Sequence, residues 1–437
     1  VRFTTRQLAD ATGGRVVGPD VAVDGATIDS RALRPGQLFV AVVAERDGHD
    51  FAAAAVEAGA TAVLASREPD DDWSAPTVVV DDTTAALRRL GAAARDRLTG
   101  PVVGITGSVG KTTVKDLARA VLAAGSRTHA SARSFNNDLG VPLTLVEAPD
   151  DVESVVVEMG ARGIGHIASL CDYVRPTVGV VTHVAMAHNE FFGTIDDIAV
   201  GKGEMVEGLA PHEVAVLNAG DERVAPMADR TAARVLTYGV GVGDVRAIDV
   251  DVADDLSLRF RLATPWGEVE VAPAARGPHQ VENATAAVAI GLAVGVPLEA
   301  AAAALAAAEV SPWRMEVDRT PSGALVLNDA YNANPLAVRA ALDALLAVPA
   351  RRHLAVLGTM AELGDWKVDE HRRIGELVRS LGVTAWSVAE PDYGLPVVDD
   401  LDAAREALGD LGEGDAVLVK GSRVAGLERL AARLLAG

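Results

Sequence analysis

Eight consecutive residues, Thr106, Gly107, Ser108, Val109, Gly110, Lys111, Thr112 and Thr113, carry the most specific chemistry in the sequence. They follow the apolar run Pro101-Val-Val-Gly-Ile105 and precede apolar residues at helical spacing, Val114, Leu117, Ala118, Val121 and Leu122. This pattern predicts a strand, a glycine-bearing loop and a helix beginning near Lys111. Such a junction aims several backbone N–H groups and the positive end of the helix at one point, as a polyphosphate requires. Lys111 would reach the terminal phosphates, and the Thr112 hydroxyl would sit on a magnesium ion. The strict phosphate-loop pattern places glycine where this chain has Ile105, so the short Thr-Gly-x-x-Gly-Lys-Thr form is a variant. A Gly-Lys-Thr in a glycine-rich chain also arises as a plain turn, but the strand before it and the helix after it favour nucleotide binding.

Other candidates are weaker one by one. Glu158 ends the apolar run Val155-Val-Val157, where a carboxylate either binds magnesium or simply faces solvent. His188 follows a strand ending near Val181 and reads as a ligand at the same sheet edge or as a structural histidine. Lys202, in Gly201-Lys-Gly203, reads by itself as a surface lysine. Asn136-Asn137-Asp-Leu-Gly140 is a turn by composition. Pro278-His-Gln-Val-Glu-Asn283 enters an alanine-rich helix, where the Asn283 amide suits a base edge and equally a helix cap. Asp329-Ala-Tyr331-Asn332-Ala-Asn334-Pro335 follows a strand, the place where a doubly wound sheet presents an acid to a ribose, and is also a good turn.

The elements that must position these residues fall into three blocks. Residues 1–97 alternate short strands (22–28, 37–43, 62–65) with helices such as 51–58, and read as an appendage with its own task. Residues 98–310 carry the phosphate loop and apolar strands at 154–157, 178–181 and 214–217, which implies a mostly parallel sheet covered on both faces. An alternating stretch, 247–271, predicts an antiparallel insertion with a hairpin at Pro265-Trp-Gly267. Residues 311–437 repeat the α/β alternation, with strands at 324–328, 354–357, 385–388 and 416–419, as a second open sheet. The fold class is therefore α/β, with a central phosphate-loop doubly wound sheet between a small N-terminal and a Rossmann-like C-terminal α/β domain.

Composition narrows the function. The 437 residues are 49% hydrophobic and 23% charged, the balance of a soluble globular protein too long for one core. A net charge of −21 argues against nucleic acid as a partner, so any anionic substrate must be held by a local cluster of donors. The single cysteine, Cys171, fits a reducing compartment, and the N-terminal residues show no signal-peptide run, so a cytoplasmic protein is expected; it is also expected to be a monomer. The longest apolar stretch, 284–298, contains Pro297 and is too short to span a bilayer.

Taken in order, Thr106 to Thr113, Asn136 to Gly140, Glu158-Met-Gly160, His188 with Lys202 fourteen residues on, His279 and Asn283, Arg314, and Asp329 to Pro335 resemble the Mur ligase family. These are the ATP-dependent amide ligases that build the peptidoglycan stem peptide. The resemblance runs the length of the chain. Asp29-Ser30-Arg31, Pro35-Gly-Gln-Leu-Phe-Val40 and Asp47-Gly-His49-Asp-Phe51 are similar to the UDP-sugar-binding domain of the last two ligases of the series. Leu357-Gly-Thr-Met-Ala-Glu-Leu-Gly364 with His371, and Val419-Lys-Gly-Ser-Arg423, are similar to the final one, which adds a dipeptide. The Asp-Asn-Pro-Arg motif of the diaminopimelate- or lysine-adding member is absent.

The resemblance implies a set of roles. Lys111 would hold the ATP phosphates, with Thr112 and Glu158 on one magnesium ion. His188 would serve a second ion together with Lys202 as a carbamate. Asn283 would contact adenine, Asp329 the ribose and Arg314 the γ-phosphate. Ser30, Arg31, His49, Asn136, Asn137, Tyr331, Asn332, Asn334 and Arg423 would contact the substrates, UDP-N-acetylmuramoyl-tripeptide and D-alanyl-D-alanine. The implied reaction is carboxylate activation by ATP to an acyl phosphate, followed by attack of the dipeptide amine. Three places depart from the family pattern: Gln280 for an asparagine, Ala219-Gly-Asp221 for an Asn-Ala-Asp-Asp style segment, and Val43-Ala-Glu-Arg-Asp-Gly48, a residue short. A Mur-type ligase with another acceptor and a nucleotide-binding scaffold that makes no amide are the rival readings.

Overall fold

The computed structural model describes residues 1–69, 73–132, 134–185 and 192–437. Val102–Thr106, Ser154–Glu158, Val178–Val181 and Val214–Asn218 are strands in which every residue is buried. Strands with two apolar faces need cover on both, and the chain supplies it with helices. On one side Lys111–Ala123 and Gln280–Ala293 pack over Val103, Ile105 and Val156. On the other, His166–Val174 and Ile195–Glu207 cover Val102, Val155 and Val157. Gly291 marks how closely the first pair of helices cross, since a Cβ there would lie 2.4 Å from Val121 Cγ1.

These strands belong to a nine-stranded sheet in which Val102–Thr106 lies between Ser154–Glu158 and Val178–Val181. After Val102–Thr106 the chain fills one side of that strand, with Thr128–Ala130 and Ser154–Glu158, and then crosses to the other. The order therefore reverses at Val102–Thr106, and a crevice opens beyond its carboxyl end, where open α/β sheets bind ligands. The alternating stretch 247–271 forms the expected antiparallel strands and hairpin, and it extends the main sheet at its edge. Val245–Val252 pairs parallel with Arg234–Val240, and Leu258–Thr264 and Gly267–Val271 continue the same sheet antiparallel to its edge.

A six-stranded sheet follows, parallel apart from the edge strand Glu316–Arg319, with Leu325–Asp329, Asp415–Lys420 and Arg352–Leu357 at its centre. The N-terminal sheet has five strands. Its expected strand at 22–28 breaks at Gly25, which takes φ 81°. Ala22–Asp24 then pairs with Arg2–Thr4, while Ala26–Thr27 joins the five-stranded sheet. The N-terminal block is also more than an appendage. Leu87 and Leu90, on the helix Thr83–Arg95, share one continuous core with Leu143, Leu145 and Val146 of the helix Gly140–Glu147. Gly91 lets the two helices meet, since a Cβ there would lie 2.7 Å from Pro142 Cβ. Among the described residues no helix is long and apolar enough to cross a membrane.

Candidate active site

The loop at the switch point has the backbone its glycines permit. Gly107 takes φ 148°, and a Cβ on it would lie 1.9 Å from Thr182 Oγ1; Gly110 takes φ 83° and caps the helix Lys111–Ala123. A side chain at either position would collide or strain the turn. Lys111 Nζ donates to the carbonyls of Gly107 at 2.6 Å and Ser108 at 3.3 Å, curling over its own loop. Burial pushes this ammonium below the ordinary lysine range, with Glu158 opposing and Arg314 reinforcing the shift.

Glu158 sits at the tip of its strand, 1% exposed. Its Oε1 accepts from Asn136 Nδ2 at 2.8 Å, whereas Oε2 is buried and has no hydrogen-bond partner among the described residues. An orphaned buried carboxylate oxygen is costly, and a cation is the partner that suits it. Thr112 Oγ1 is 3.3 Å from Ser134 Oγ, on the same side of the loop. Lys202 corrects the surface reading: it is 2% exposed on the helix Ile195–Glu207. Burial, and then the charge of Lys111, push its amine well below the lysine range. His188 lies outside the described residues. Among those described, no three His, Cys, Asp or Glu side chains gather closely enough to hold a metal by themselves.

The third block closes the cleft from the opposite side. Trp313 and Met315 both take left-handed backbone, at φ 60° and 56°, and Arg314 between them stands 4.1 Å above the Tyr331 ring. Tyr331 stacks on Trp313 at 6.5 Å, and Arg423 covers the Trp313 ring at 4.2 Å. Asp329 Oδ1 accepts from Met315 N at 3.1 Å, and Oδ2 pairs with Lys420, whose Nζ also donates to Asn332 O at 2.9 Å. Ser311 N donates to Asp116 Oδ2 at 2.7 Å, tying the start of this block to the helix behind the phosphate loop. The result is a cleft of about 510 Å³ lined from both sheets, by Lys111, Thr112, Asn136, Glu158 and Asn283 among others, and by Arg314, Asp329, Tyr331, Asn332, Asn334 and Arg423.

Several expected residues serve the scaffold or lie apart. Asn334 Oδ1 accepts from Ala337 N at 2.9 Å and so caps the helix Pro335–Ala347 from the cleft edge. Asn137 Oδ1 accepts from Leu139 N and Gly140 N at 3.2 and 2.9 Å, which makes it the turn cap its composition suggested. Asn283 Nδ2 donates to Gln280 Oε1 at 2.8 Å. Ser30, Arg31 and His49 belong to the N-terminal block and do not line this cleft. Arg31 makes a two-pronged contact with Asp29 at 2.9 and 2.8 Å. His49 faces inward, with Nδ1 on Asp47 at 2.5 Å and Nε2 accepting from Ser66 N at 3.0 Å. Sequence reasoning missed Ser134, Trp313, His183 and Asp221. Ser134 and His183 carry no local motif, since their partners lie far along the chain.

Fold and site together define an α/β phosphate-loop protein whose cleft closes between a nucleotide-type sheet and a second open sheet. Residues 22–95 match the Mur ligase family, catalytic domain, residues 105–291 the Mur ligase middle domain, and residues 313–423 the Mur ligase, glutamate ligase domain. The UDP-N-acetylmuramoyl-tripeptide–D-alanyl-D-alanine ligase of Mycobacterium tuberculosis is 39% identical over 100% of this chain and 98% of its own. The Escherichia coli protein of the same name is 36% identical over 88% of this chain and 85% of its own. The crystal structure of MurF from Acinetobacter baumannii superposes with a TM-score of 0.89 at 30% identity, covering 100% of this chain and 99% of that one. MurF ligase from Thermotoga maritima in complex with ADP gives 0.81 at 28% identity over 95% and 97%. The chain belongs to the Mur ligase family.

Proposed function

We propose that this chain is an ATP-dependent amide ligase joining D-alanyl-D-alanine to the terminal carboxylate of UDP-N-acetylmuramoyl-tripeptide, giving the pentapeptide, ADP and phosphate for peptidoglycan synthesis. The observation that carries the reading is one cleft with a phosphate loop and Lys111 on one wall and Arg314, braced on Tyr331, on the other. The full-length likeness to ligases of that name gives the acceptor. The N-terminal block (1–97) holds the UDP-sugar end through Ser30 and Arg31, while His49 supports that block from inside. The central block (98–310) holds ATP, and residues 311–437 hold the incoming dipeptide. With UDP-linked and ATP substrates, the protein works in the cytoplasm, as a monomer.

The reaction couples two anions, a carboxylate and a triphosphate, that repel each other. Lys111 and Arg314 offset that repulsion from opposite walls, and alignment of carboxylate oxygen and γ-phosphorus does the rest. The carboxylate oxygen bonds to phosphorus as ADP leaves, and the dipeptide amine then attacks the acyl carbon and expels phosphate. Asn283 lies on the base side and Asp329 on the ribose side of the nucleotide. The orphaned Oε2 of Glu158 and the Thr112 hydroxyl fit a magnesium ion, which when bound supplies further positive charge at the phosphates. By family resemblance His188 serves a second ion with Lys202. Burial depresses the amine of Lys202 and so favours its neutral form, the one that takes up carbon dioxide as a carbamate.

The test is phosphate release from ATP with magnesium and UDP-N-acetylmuramoyl-tripeptide, with D-alanyl-D-alanine added or withheld. Release that needs both substrates, with the pentapeptide mass appearing, is the expected outcome. Release indifferent to the dipeptide would move the activity to another acceptor.

A further inference from the structure

The cleft wall beside the phosphate loop holds a half-buried group that the reaction above does not use. His183, just past the strand Val178–Val181, sits between two carboxylates. Its Nδ1 is 3.2 Å from Asp221 Oδ2, and its Nε2 meets Glu282 Oε2. Asn218 Nδ2 joins the cluster, donating to Glu282 Oε1 at 3.0 Å. Asp221 follows the strand Val214–Asn218, and Glu282 stands in the first turn of the helix Gln280–Ala293.

The main chain around His183 carries the phosphate loop. Ser108 N donates to His183 O at 2.7 Å, and Thr182 Oγ1 donates to Val109 O at 2.6 Å. Ser108 Oγ donates to Ala185 O at 2.8 Å and accepts from Ala185 N at 3.0 Å. On the other flank, Glu282 precedes Asn283, whose Oδ1 would lie 2.7 Å from a Cβ on Gly110. The imidazole thus joins the segment gripping one side of the loop to the helix touching its other side.

We infer that His183, held as an imidazolium between Asp221 and Glu282, is a positioning residue that fixes the phosphate loop against the base-side helix and so sets nucleotide affinity. The inference rests on the reading of this cleft as an ATP site. Without the imidazolium, Asp221 and Glu282 would face one another with no counter-charge, and like charges at that range move apart. Among the described residues, the titratable and charged groups near the ring are those two carboxylates and the Tyr238 phenol, 3.5 Å from Thr182 O, with Lys111 lining the same cleft. Burial and the two carboxylates hold the phenol well above its ordinary range, so it stays neutral. Burial lowers the His183 pKa, but its hydrogen bonds to Asp221 and Glu282 and their charges outweigh this and raise it to about 9.

The experiment is a calorimetric titration of the full chain with ADP across pH values on both sides of about 9, with thermal unfolding recorded at each pH. The wild type is expected to bind at neutral pH and to weaken several-fold as the pH passes about 9. His183→Asn should bind on the order of ten-fold more weakly at neutral pH, as for a lost charge-assisted hydrogen bond, and show no such weakening in alkali. Turnover at saturating ATP should fall less than affinity does. His183→Asn with Glu282→Gln should regain most of the affinity, because the unmatched charge is gone. If the single variant fails to fold, the double variant decides the matter: affinity flat across about 9 supports the inference, and a retained alkaline loss overturns it. Wild-type affinity and pH dependence in every folded variant would also overturn it. Failure of the wild type to bind ADP at neutral pH would instead sink the ATP-site reading.

Discussion

Ser134 Oγ lies 2.7 Å from the Tyr331 hydroxyl, a hydrogen bond that crosses from the central sheet's loops to those of the C-terminal sheet. The same oxygen is 3.3 Å from Thr112 Oγ1 and 3.4 Å from Arg314 Nη2. One small hydroxyl therefore touches the start of the phosphate-loop helix and both residues that bring a guanidinium to the cleft. The two walls meet at Ser134.

Tyr331→Phe keeps the ring beneath Arg314 and removes only the hydroxyl that reaches Ser134. Turnover should fall about three- to ten-fold, the worth of one hydrogen bond. Tyr331→Ala also removes the face that braces Arg314 at 4.1 Å, and should cost on the order of 100-fold. Steady-state rates for the two variants check this; equal losses would mean the ring does not position the guanidinium.

Lys111 Nζ is held by two carbonyls of its own loop, so its removal leaves the backbone free to keep its shape. Lys111→Ala should retain the wild-type circular dichroism spectrum and lose on the order of 1,000-fold in turnover or more. A variant with a near-normal rate would take the loop out of the reaction.

Glu158→Gln keeps an oxygen for Asn136 to donate to, yet gives up the charge on the orphaned Oε2. The magnesium concentration for half-maximal rate should rise at least about ten-fold, since one anionic ligand is lost. The melting temperature without metal should stay at or above that of the wild type, because a buried carboxylate has gone. Unchanged magnesium dependence would exclude Glu158 from the metal site.

What the sequence disclosed was local. The loop from Thr106 to Thr113 declares itself because strand, glycines, lysine and helix are contiguous, whereas Glu158 stands out at the end of a valine run that by itself leaves a metal and a solvent reading open. Gly25 was a readable break that the alternation around it concealed. Lys202 was not readable: its flanking glycines suggest exposure, and only the packing of its helix against the central sheet buries it. Nor was His183, whose carboxylate partners lie 38 and 99 residues away along the chain. The substrate-contact set was read from resemblance, and there geometry sorts it: Asn136 and Tyr331 line the cleft, while Asn137 is spent on a turn.

Histidines should act on the stability of this protein from both sides of neutral pH. His129, whose buried Nε2 has no hydrogen-bond partner among the described residues, is pushed down to about 4 by burial. The unfolded chain takes up that proton near pH ~6.5. Between about 6.5 and about 4 the unfolded state therefore binds a proton the fold refuses, and stability drops as the pH falls through that window. His279 and His371, also lowered by burial, act in the same direction. Asp29 and Asp415, held to about 2 by hydrogen bonds from Arg31 and Arg352, leave this window to the histidines and act at lower pH. His183 has the opposite sign. With its pKa raised to about 9, its contribution is complete below ~6.5 and is lost as the pH rises through about 9. His129 should lower melting temperatures on the acid side, and the loss at His183 should pull against the buried amines of Lys111 and Lys202, which favour the fold as the pH rises. His129→Asn should flatten the acid limb alone, and His183→Asn should remove the His183 loss from the alkaline limb alone, while lowering the neutral-pH melting temperature. Limbs unchanged in slope in both variants would mean that neither imidazole governs the pH dependence.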